Sequence, residues 1–389
     1  MNNRKSAALA LSAALAAGVL WSGVCHLPVQ AEAQVLQQDN QLSGTNQISI
    51  NGILCDSNVQ YLDLSSLTQA GVAEAAEKLS MLPQLQEVEL MSANGSSALS
   101  IADVATLQAA APNAVFHYVF NLFGKTVSTT DAEIYYSDQS IGNQAGAEAT
   151  LRQALTILKG CKRFVLDNCE FSNEVLAQVR EDFRGQTKVV WRVWFSTDGS
   201  SLTDREMLRV TFHLTDSNCH DLIYCEDTKY LDIGHNETLS TVEFIAGMPN
   251  LVAVIVSGAP IRDLSPFAVC TKLEMLELAF CGYVKDISPL ATCYSLERLN
   301  IGFTKVSDLS VLDDKNMVIL VDTNTAVPNK ERTRFEKLHP DCLVQHYGSQ
   351  PYGYPWRYHS EKAIDDNFNE YYKMLREIFD YENGTNTHW

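Results

Sequence analysis

The stretch Thr228–Thr325 reads, in register, as Thr228-x-x-Leu231-x-Ile233-x-x-Asn236, Leu251-x-x-Val254-x-Val256-x-x-Ala259, Leu273-x-x-Leu276-x-Leu278-x-x-Cys281, Leu296-x-x-Leu299-x-Ile301-x-x-Thr304 and Met317-x-x-Leu320-x-Asp322-x-x-Thr325. The middle anchors are residues 231, 254, 276, 299 and 320, so successive copies are separated by 23, 22, 23 and 21 residues. Copies in phase at this period predict a solenoid built from one repeated unit.

Within each unit, alternating apolar residues predict a short strand whose inward side chains join the core. We place Phe280 and Phe303, two residues past the last strand leucine or isoleucine, in that core as well. The connections contain Ser265-Pro266 and Ser288-Pro289. They predict helix starts, because serine caps free N–H groups and proline needs none in the first turn. No unit can bury its apolar side alone, so neighbouring units must stack.

The connections Asp263-Leu264-Ser265-Pro266-Phe267 and Asp286-Ile287-Ser288-Pro289-Leu290 resemble those of the bacterial, internalin-like class of leucine-rich repeats. The resemblance covers roughly a quarter of the chain. It implies an α/β solenoid, curved, with a parallel sheet on its concave face and helices or short helical turns on its convex side. It also implies that the concave face binds a protein, although the fold does not name the ligand.

Longer repeats precede this array, with middle anchors at residues 62, 88 and 116 and therefore steps of 26 and 28 residues. They are Val59-x-x-Leu62-x-Leu64-x-x-Leu67, Leu85-x-x-Val88-x-Leu90-x-x-Ala93 and Asn113-x-x-Phe116-x-Tyr118-x-x-Asn121. Helical patterns cover Val72–Leu82, Ile101–Ala110, Ala147–Lys159 and Asn173–Phe183. Repeats of this kind resemble the ribonuclease-inhibitor style. Strands are predicted at Ile48–Leu54, Ala132–Tyr136 and Val189–Phe195, and the rhythm breaks at Leu122–Ile141 and Leu202–Asp227.

The N-terminus has the pattern of a secretory signal, which predicts a secreted or cell-surface protein. Arg4 and Lys5 precede the apolar stretch Ala7–Trp21, and small residues suited to cleavage follow at Val29-Gln30-Ala31 or Ala31-Glu32-Ala33. Lipid attachment at Cys25 is the alternative. The whole chain divides into a signal peptide (1–33), a flexible linker (34–47), longer repeats (48–225), internalin-like repeats (226–346) and an aromatic-rich C-terminal cap (347–389).

Composition limits the partners. The chain has 389 residues, of which 46% are hydrophobic, and a net charge of −18, which argues against nucleic acid because that partner needs basic patches. No stretch of the mature chain is long and apolar enough to span a bilayer. We expect a monomer.

The aromatic tail admits two interpretations. One face of an amphipathic helix is predicted from Ile364, Phe368, Tyr371, Leu375 and Ile378. The tail then caps the apolar edge of the last repeat. Alternatively, an aromatic platform stacks on sugar rings and consists of Tyr352, Tyr354, Trp356 and Tyr358.

Cysteines and acids recur at fixed positions of the repeats. Cys270 and Cys293 share one phase, so neighbouring coils place them within reach of a disulfide, whereas buried free thiols are the other interpretation. Asp263, Asp286 and Asp308 should form a ladder along one edge. That ladder suits either a cation or, more simply, hydrogen bonds to the turn backbone.

The sequence has no recognisable catalytic motif, nucleotide-binding loop or metal-ligand pair, so it predicts no catalysis, no cofactor and no metal. The candidate binding residues lie between the strand leucines, where side chains face the concave surface. They are Tyr230, Asp232, Ile255, Met275, Glu277, Arg298, Asn300, Ile319 and Val321. Several are apolar, which is typical of a binding surface. A tail folded over part of this face is the competing explanation.

The leading hypothesis is therefore a secreted or surface leucine-rich-repeat protein that recognises a protein or glycan, such as one on a host surface, through its concave face. A secreted hydrolase with its site in one of the two irregular segments is the second hypothesis. An envelope structural component is the third.

Overall fold

A computed structural model describes residues 47–196, 199–362, 367–383 and 387–388. The predicted signal peptide and all but the last residue of the predicted linker lie outside these ranges, as does Ile364 of the predicted tail helix. Across the described residues, no helix combines the length and apolar character needed to cross a membrane. The domain boundaries at residues 225 and 346 stay predictions.

The strands are short, and most contain three to five residues. In chain order they are β1 (Gln47–Ile50), β2 (Ile53–Asp56), β3 (Tyr61–Asp63), β4 (Glu87–Glu89), β5 (Val115–His117), β6 (Val119–Leu122), β7 (Lys125–Ser128), β8 (Glu133–Ser137), β9 (Arg163–Asp167), β10 (Lys188–Trp194), β11 (Ser200–Leu202), β12 (Met207–Val210), β13 (Tyr230–Asp232), β14 (Ala253–Ile255), β15 (Met275–Glu277), β16 (Arg298–Asn300), β17 (Ile319–Val321), β18 (Leu343–Gln345) and β19 (Thr387–His388).

Helices alternate with the strands. The α-helices are α1 (Val72–Leu79), α2 (Ile101–Ala110), α3 (Ala147–Ile157), α4 (Asn173–Asp182), α5 (Asn329–Leu338) and α6 (Glu370–Ile378). The 3-10 helices are Gln69–Gly71, His220–Tyr224, Glu243–Gly247, Ser265–Val269, Ser288–Thr292, Ser310–Leu312 and Tyr381–Asn383.

The strands β12 to β18 form one parallel sheet in chain order, and β19 pairs antiparallel with the free edge of β12. Its register joins Leu231 to Val254, Leu276 and then Leu299, so the anchors of the repeat are direct neighbours. Two smaller parallel groups precede it, β3–β4–β5 and β8–β9–β10, the second extended by antiparallel β11. This arrangement confirms the predicted α/β solenoid.

The anchors also form the core. Leu231, Val254, Leu276, Leu299 and Leu320 have no exposed surface, and the apolar side chains of the helices pack with them in one cluster. Burial of a leucine side chain contributes about 1.5–3 kcal/mol, so a row of such anchors accounts for much of the stability of the stack.

The predicted helices are present, within a few residues of their bounds, as α1 to α4. They occupy the N-terminal part of the chain, whereas the internalin-like repeats have 3-10 turns until the last connection, which is α5. Whether the longer repeats belong to the ribonuclease-inhibitor style stays a prediction. The break at residues 122–141 contains most of the hairpin β6–β7, and the predicted extra strand is β8.

The prediction of serine caps was wrong. Ser265 and Ser288 are the first residues of their 3-10 helices and make no side-chain cap, because Leu264 and Ile287 occupy the cap position. The serine hydroxyls instead donate to the aspartate two residues earlier. Asp263 accepts from the Ser265 amide at 2.8 Å and from its hydroxyl at 2.7 Å.

The predicted strand Ile48–Leu54 is in fact the hairpin β1–β2. Asn51 and Gly52 form its two-residue turn with φ of 50° and 79°. Asn-Gly is the pair that suits positive φ at both turn positions. The prediction of a single strand followed the alternation of apolar residues and overlooked this turn signal.

The assignment of Phe280 and Phe303 to the core was wrong. Phe280 is 43% exposed, Phe303 is half-buried, and their rings stack on each other at 4.5 Å. Both belong to the turn that ends a strand and have left-handed φ of 62° and 61°. The strand alternation therefore no longer applies to them.

The cysteines within the described residues are free thiols. Cys270 donates to the Met248 carbonyl at 3.7 Å and Cys293 to the Phe267 carbonyl at 3.4 Å, which confirms buried thiols rather than a bridge. Burial raises the pKa of Cys270 from 9.0 to about 12 and that of Cys293 to about 11.

We predict that the intact mass of purified residues 34–389 does not change on reduction. Ellman's reagent should react slowly with the native protein at pH 8 and completely after denaturation, because buried thiols of raised pKa present little thiolate. Because burial raises the thiol pKa values in the folded state, the thiols of the unfolded chain lose their protons at a lower pH than those of the native protein. The free energy of unfolding should therefore fall as the pH rises above about 9. A mass increase on reduction would contradict the assignment.

Candidate binding surface

The concave face, meaning the side of the sheet away from the helices, carries the predicted binding residues in two rows. Strand pairing places side by side Tyr230, Ala253, Met275, Arg298 and Ile319. The second row is Asp232, Ile255, Glu277, Asn300 and Val321. The repeat spacing thus brings all nine predicted residues onto one continuous surface.

This surface is covered by the chain itself. Residues 347–362 and 367–383, which we call the C-terminal segment, pack across it. Ile255 is 5% exposed and Met275 only 2%. A second hydrophobic cluster, separate from the main core, joins the two parts through Ala253, Ile255, Met275, Ile319, Val321, Trp356, Tyr372, Leu375 and Phe379.

Glu277 is the polar anchor at the centre of this contact and is fully buried. It accepts hydrogen bonds from the Ser257 hydroxyl at 2.5 Å and from the indole N–H of Trp356. The Arg357 guanidinium also approaches it, at 3.4 Å. A buried carboxylate needs such partners, because burial without them costs several kcal/mol.

Asp232 anchors the end of the C-terminal segment in a similar way. Its carboxylate accepts a hydrogen bond from the Tyr381 hydroxyl at 2.6 Å and one from the Gly234 amide at 3.0 Å. Arg209 lies 3.9 Å away and stacks on the Tyr381 ring. Burial raises the pKa of Asp232, and both hydrogen bonds oppose that rise.

Other concave residues contact the segment through stacking and main-chain bonds. The Arg298 guanidinium lies 4.1 Å from the centre of the Tyr371 ring. Asn300 donates to the Pro351 carbonyl at 2.9 Å. Every strand from β13 to β17 therefore contributes to holding the C-terminal segment.

The tail does not cap the edge of the last repeat, as one interpretation expected; it folds over part of the concave face, which was the competing explanation. The end of the array is formed by α5, whose Phe335 is fully buried, and by the edge strand β18. The C-terminal segment lies on the concave face because that face offers apolar side chains that match its own. The binding role of the nine concave residues stays a prediction. A ligand can reach these residues only where the C-terminal segment is displaced.

The four residues of the predicted aromatic platform do not form one open row. Trp356 is buried and bonded to Glu277. Tyr352 packs against Phe280 with ring centres 5.7 Å apart, while Tyr358 stacks on Phe368 at 5.1 Å. Tyr354 is half-buried. Their role in sugar stacking stays a prediction.

The N-terminal part of the concave face is open, a feature that sequence reasoning missed. Exposed apolar side chains occur on β3, β5, β6, β8 and β10, namely Tyr61, Val115, Val119, Tyr135 and Trp194. Acidic residues lie on the same strands or beside them. Glu87 pairs with Tyr61 and Val115, Asp63 and Glu89 form the next row of that sheet, and Glu133 precedes Tyr135 by two residues on β8. The strand alternation of the longer repeats would have indicated these positions.

Two of the cavities in the described structure contain several acidic side chains. One, of about 450 Å³, lies between the concave face and the C-terminal segment, is partly open to solvent, and is lined by Asp232, Glu277, Tyr372 and Tyr381 among others. Another, of about 480 Å³, lies at the end of β9 and β10 and is lined by Glu170, Glu174, Asp221 and Trp194 among others. Burial raises the pKa of Asp221.

The aspartate ladder bonds to its own turns. Asp286 and Asp308 accept from the amides of Ser288 and Ser310, both at 2.8 Å, as Asp263 does from Ser265. This confirms the simpler of the two explanations. Within the described ranges, no cluster of three or more histidine, cysteine, aspartate or glutamate side chains is arranged to hold a metal ion.

The architecture is that of a leucine-rich-repeat protein. No protein-family model and no curated protein matches this chain. Among solved structures, an internalin of Listeria monocytogenes is 16% identical, covering 74% of this chain and 90% of its own (TM-score 0.34). Internalin C2 of the same organism is 15% identical, covering 71% and 92% (TM-score 0.32). A leucine-rich-repeat protein of Leptospira interrogans is 15% identical, covering 69% and 74% (TM-score 0.35).

We predict that Leu375→Ala detaches the C-terminal segment before the repeats unfold. Leu375 is fully buried in the second cluster, and such truncations cost about 2–5 kcal/mol. Hydrogen exchange of α6 should accelerate far more than exchange of β14–β16. The matched control is Leu338→Ala, since Leu338 is 50% exposed at the end of α5. Equal acceleration in both regions would contradict separate attachment.

Proposed function

We propose that this chain is a secreted or cell-surface bacterial leucine-rich-repeat protein that binds a macromolecular partner and catalyses no reaction. The open N-terminal part of the concave face carries the proposal. It presents Tyr61 and Val115 to solvent on the sheet β3–β5, and Tyr135 and Trp194 on the sheet β8–β11. Aromatic side chains are enriched at protein interfaces and supply much of the binding energy there.

The charge of this surface favours a protein partner over an acidic glycan. Asp63, Glu87, Glu89 and Glu133 surround the exposed aromatic residues. Arg163 and Arg192, also on this face, are paired with acids, the first with Glu133 and the second with Asp167. The net acidic surface complements a basic patch, which accelerates association and rejects acidic competitors.

The nine concave residues under the C-terminal segment form a second part of the same proposal. They are continuous in register from β13 to β17 and would extend the surface for a partner that displaces the segment. The open part needs no displacement, so it should make the first contact.

The test uses purified residues 34–389, immobilised against arrayed host surface proteins, mucin glycans and cell-wall fragments. We predict saturable binding to a protein, weakened at least about tenfold by Tyr61→Ala or Trp194→Ala, because central aromatic residues dominate interfaces. Glu87→Lys should slow association. The matched control, Tyr294→Ala, removes a ring that is 73% exposed outside the strands and should bind like the native chain.

Three outcomes would redirect the assignment. If neither aromatic substitution affects binding, the open surface is not the binding site. Retention by purified cell wall alone would favour an envelope structural component. No binding to any arrayed molecule would contradict the proposal.

A hydrolase is the second candidate, favoured by one observation. The cavity at the end of β9 and β10 brings together Glu170, Glu174 and Asp221, the last from the irregular segment 202–227. A partly buried acid of raised pKa such as Asp221 can serve as a general acid. A hydrolase screen in which Asp221→Asn abolishes turnover would establish this function, and an inactive native protein would exclude it from the screened classes.

A further inference from the structure

The C-terminal segment is attached to the concave face separately from the main core. Its contact with that face forms the second hydrophobic cluster, which shares no residue with the cluster packed between strands and helices. Residues 347–350, which begin the segment just after β18, are all exposed. The segment can therefore leave the face without exposing the anchors of the repeats.

The contact between the segment and the face contains buried donors without an acceptor. Arg209 and Arg298 stack on rings of the segment, and Arg357 belongs to it. In all three the Nε–H group is inaccessible to solvent and has no hydrogen-bond acceptor among the described residues. Such an unpaired group is costly, whereas water pairs with it once the segment lifts. Opening the contact therefore recovers part of what the lost apolar burial costs.

Packing between the two parts is also incomplete. The cavity of about 450 Å³ is lined by both of them, with Asp232 and Glu277 on the face and Tyr372 and Tyr381 on the segment. Protein interiors contain few voids larger than a water molecule, so a contact with this unfilled space is weaker than a close-packed core. The unpaired donors and the cavity together indicate a cover that a better-fitting partner can displace.

The helix α6 shows which chemistry the face accepts. The buried side chains of α6 and of the residue after it are Tyr372, Leu375 and Phe379, and they pack against apolar strand residues in the second cluster. Large apolar anchors three and four residues apart are the pattern with which an amphipathic helix enters a groove. The strands below therefore form an acceptor for a helix, and α6 occupies it in the free chain.

We propose that the C-terminal segment is a displaceable cover, and that the protein partner inserts an amphipathic helix in the place of α6. This inference rests on the proposed function and specifies the partner of its covered part. The helix of the partner carries large apolar residues with the same spacing as the anchors of α6. Because α6 is tethered and competes for the face, the native chain binds such a helix more weakly than a chain with α6 detached.

A synthetic peptide of residues 367–383, labelled with a fluorophore, tests the proposal by anisotropy titration with purified residues 34–389. The peptide should bind the Leu375→Ala chain at least about tenfold more tightly than the native chain, because a detached α6 no longer competes. A peptide that itself carries Leu375→Ala should bind both chains weakly, since it lacks the central anchor.

Two further chains make the result specific. Glu377→Ala changes the exposed side of α6 and should bind the peptide like the native chain. Tyr381→Phe removes the hydroxyl that donates to Asp232, so it should raise the affinity for the peptide by a smaller factor. This milder variant keeps the test decisive if the leucine variant does not fold. Hydrogen exchange of β14–β16 checks that the repeats are intact in each chain.

The partner supplies a second measurement. The protein identified in the array experiment should bind the Leu375→Ala chain at least about tenfold more tightly than the native chain, for the same reason as the peptide. Unlabelled peptide of residues 367–383 should compete with that protein for the Leu375→Ala chain.

Three results would overturn the proposal. Equal affinity of the peptide for the native and Leu375→Ala chains would place the peptide elsewhere, and no binding to any chain at millimolar concentration would show that the face accepts no helix. An arrayed protein that binds both chains equally well would not use the covered face. None of these results affects binding at the open surface, which Tyr61→Ala and Trp194→Ala test separately.

Discussion

The structure depends on the stacking of inward-facing apolar anchors between neighbouring coils. Leu276 is buried only because Val254 and Leu299 lie on either side of it in the sheet. A strand of three residues with its turn cannot bury its own anchors, so each unit is stable only with its neighbours. Because stacking fixes the register, it also fixes which side chains appear together on the concave face.

The apolar part of the concave face must be covered, and the chain covers it with its own C-terminal segment. Rows containing Ile255, Met275, Ile319 and Val321 would expose a wide apolar surface, and such surfaces promote association. The C-terminal segment covers them with a second hydrophobic cluster and supplies partners to the buried acids Asp232 and Glu277. The concave face therefore has a part covered by the C-terminal segment and an open part closer to the N-terminus.

The repeat spacing was sufficient to predict the solenoid, its register and most helices, since these follow from local patterns. It could not decide between a tail on the edge of the last repeat and a tail over the concave face, because that depends on two distant apolar surfaces meeting. Both halves of the signal were visible: Ile255 and Met275 between strand anchors, and Leu375 on an amphipathic helix. Phe280 is a case in which the local pattern itself gave the wrong result. Its position next to the strand suggested burial, but a left-handed turn places it at the surface.

Hydrogen exchange of the native protein, read by mass spectrometry, tests the central claim that the chain covers its own concave face. Amides from Tyr372 to Phe379 should exchange slowly, because local opening would expose the second hydrophobic cluster. Strands β14–β16 should be protected as well. Exchange of the α6 amides at the rate of an unstructured chain, with the strands still protected, would contradict the account and leave the whole concave face free for a partner.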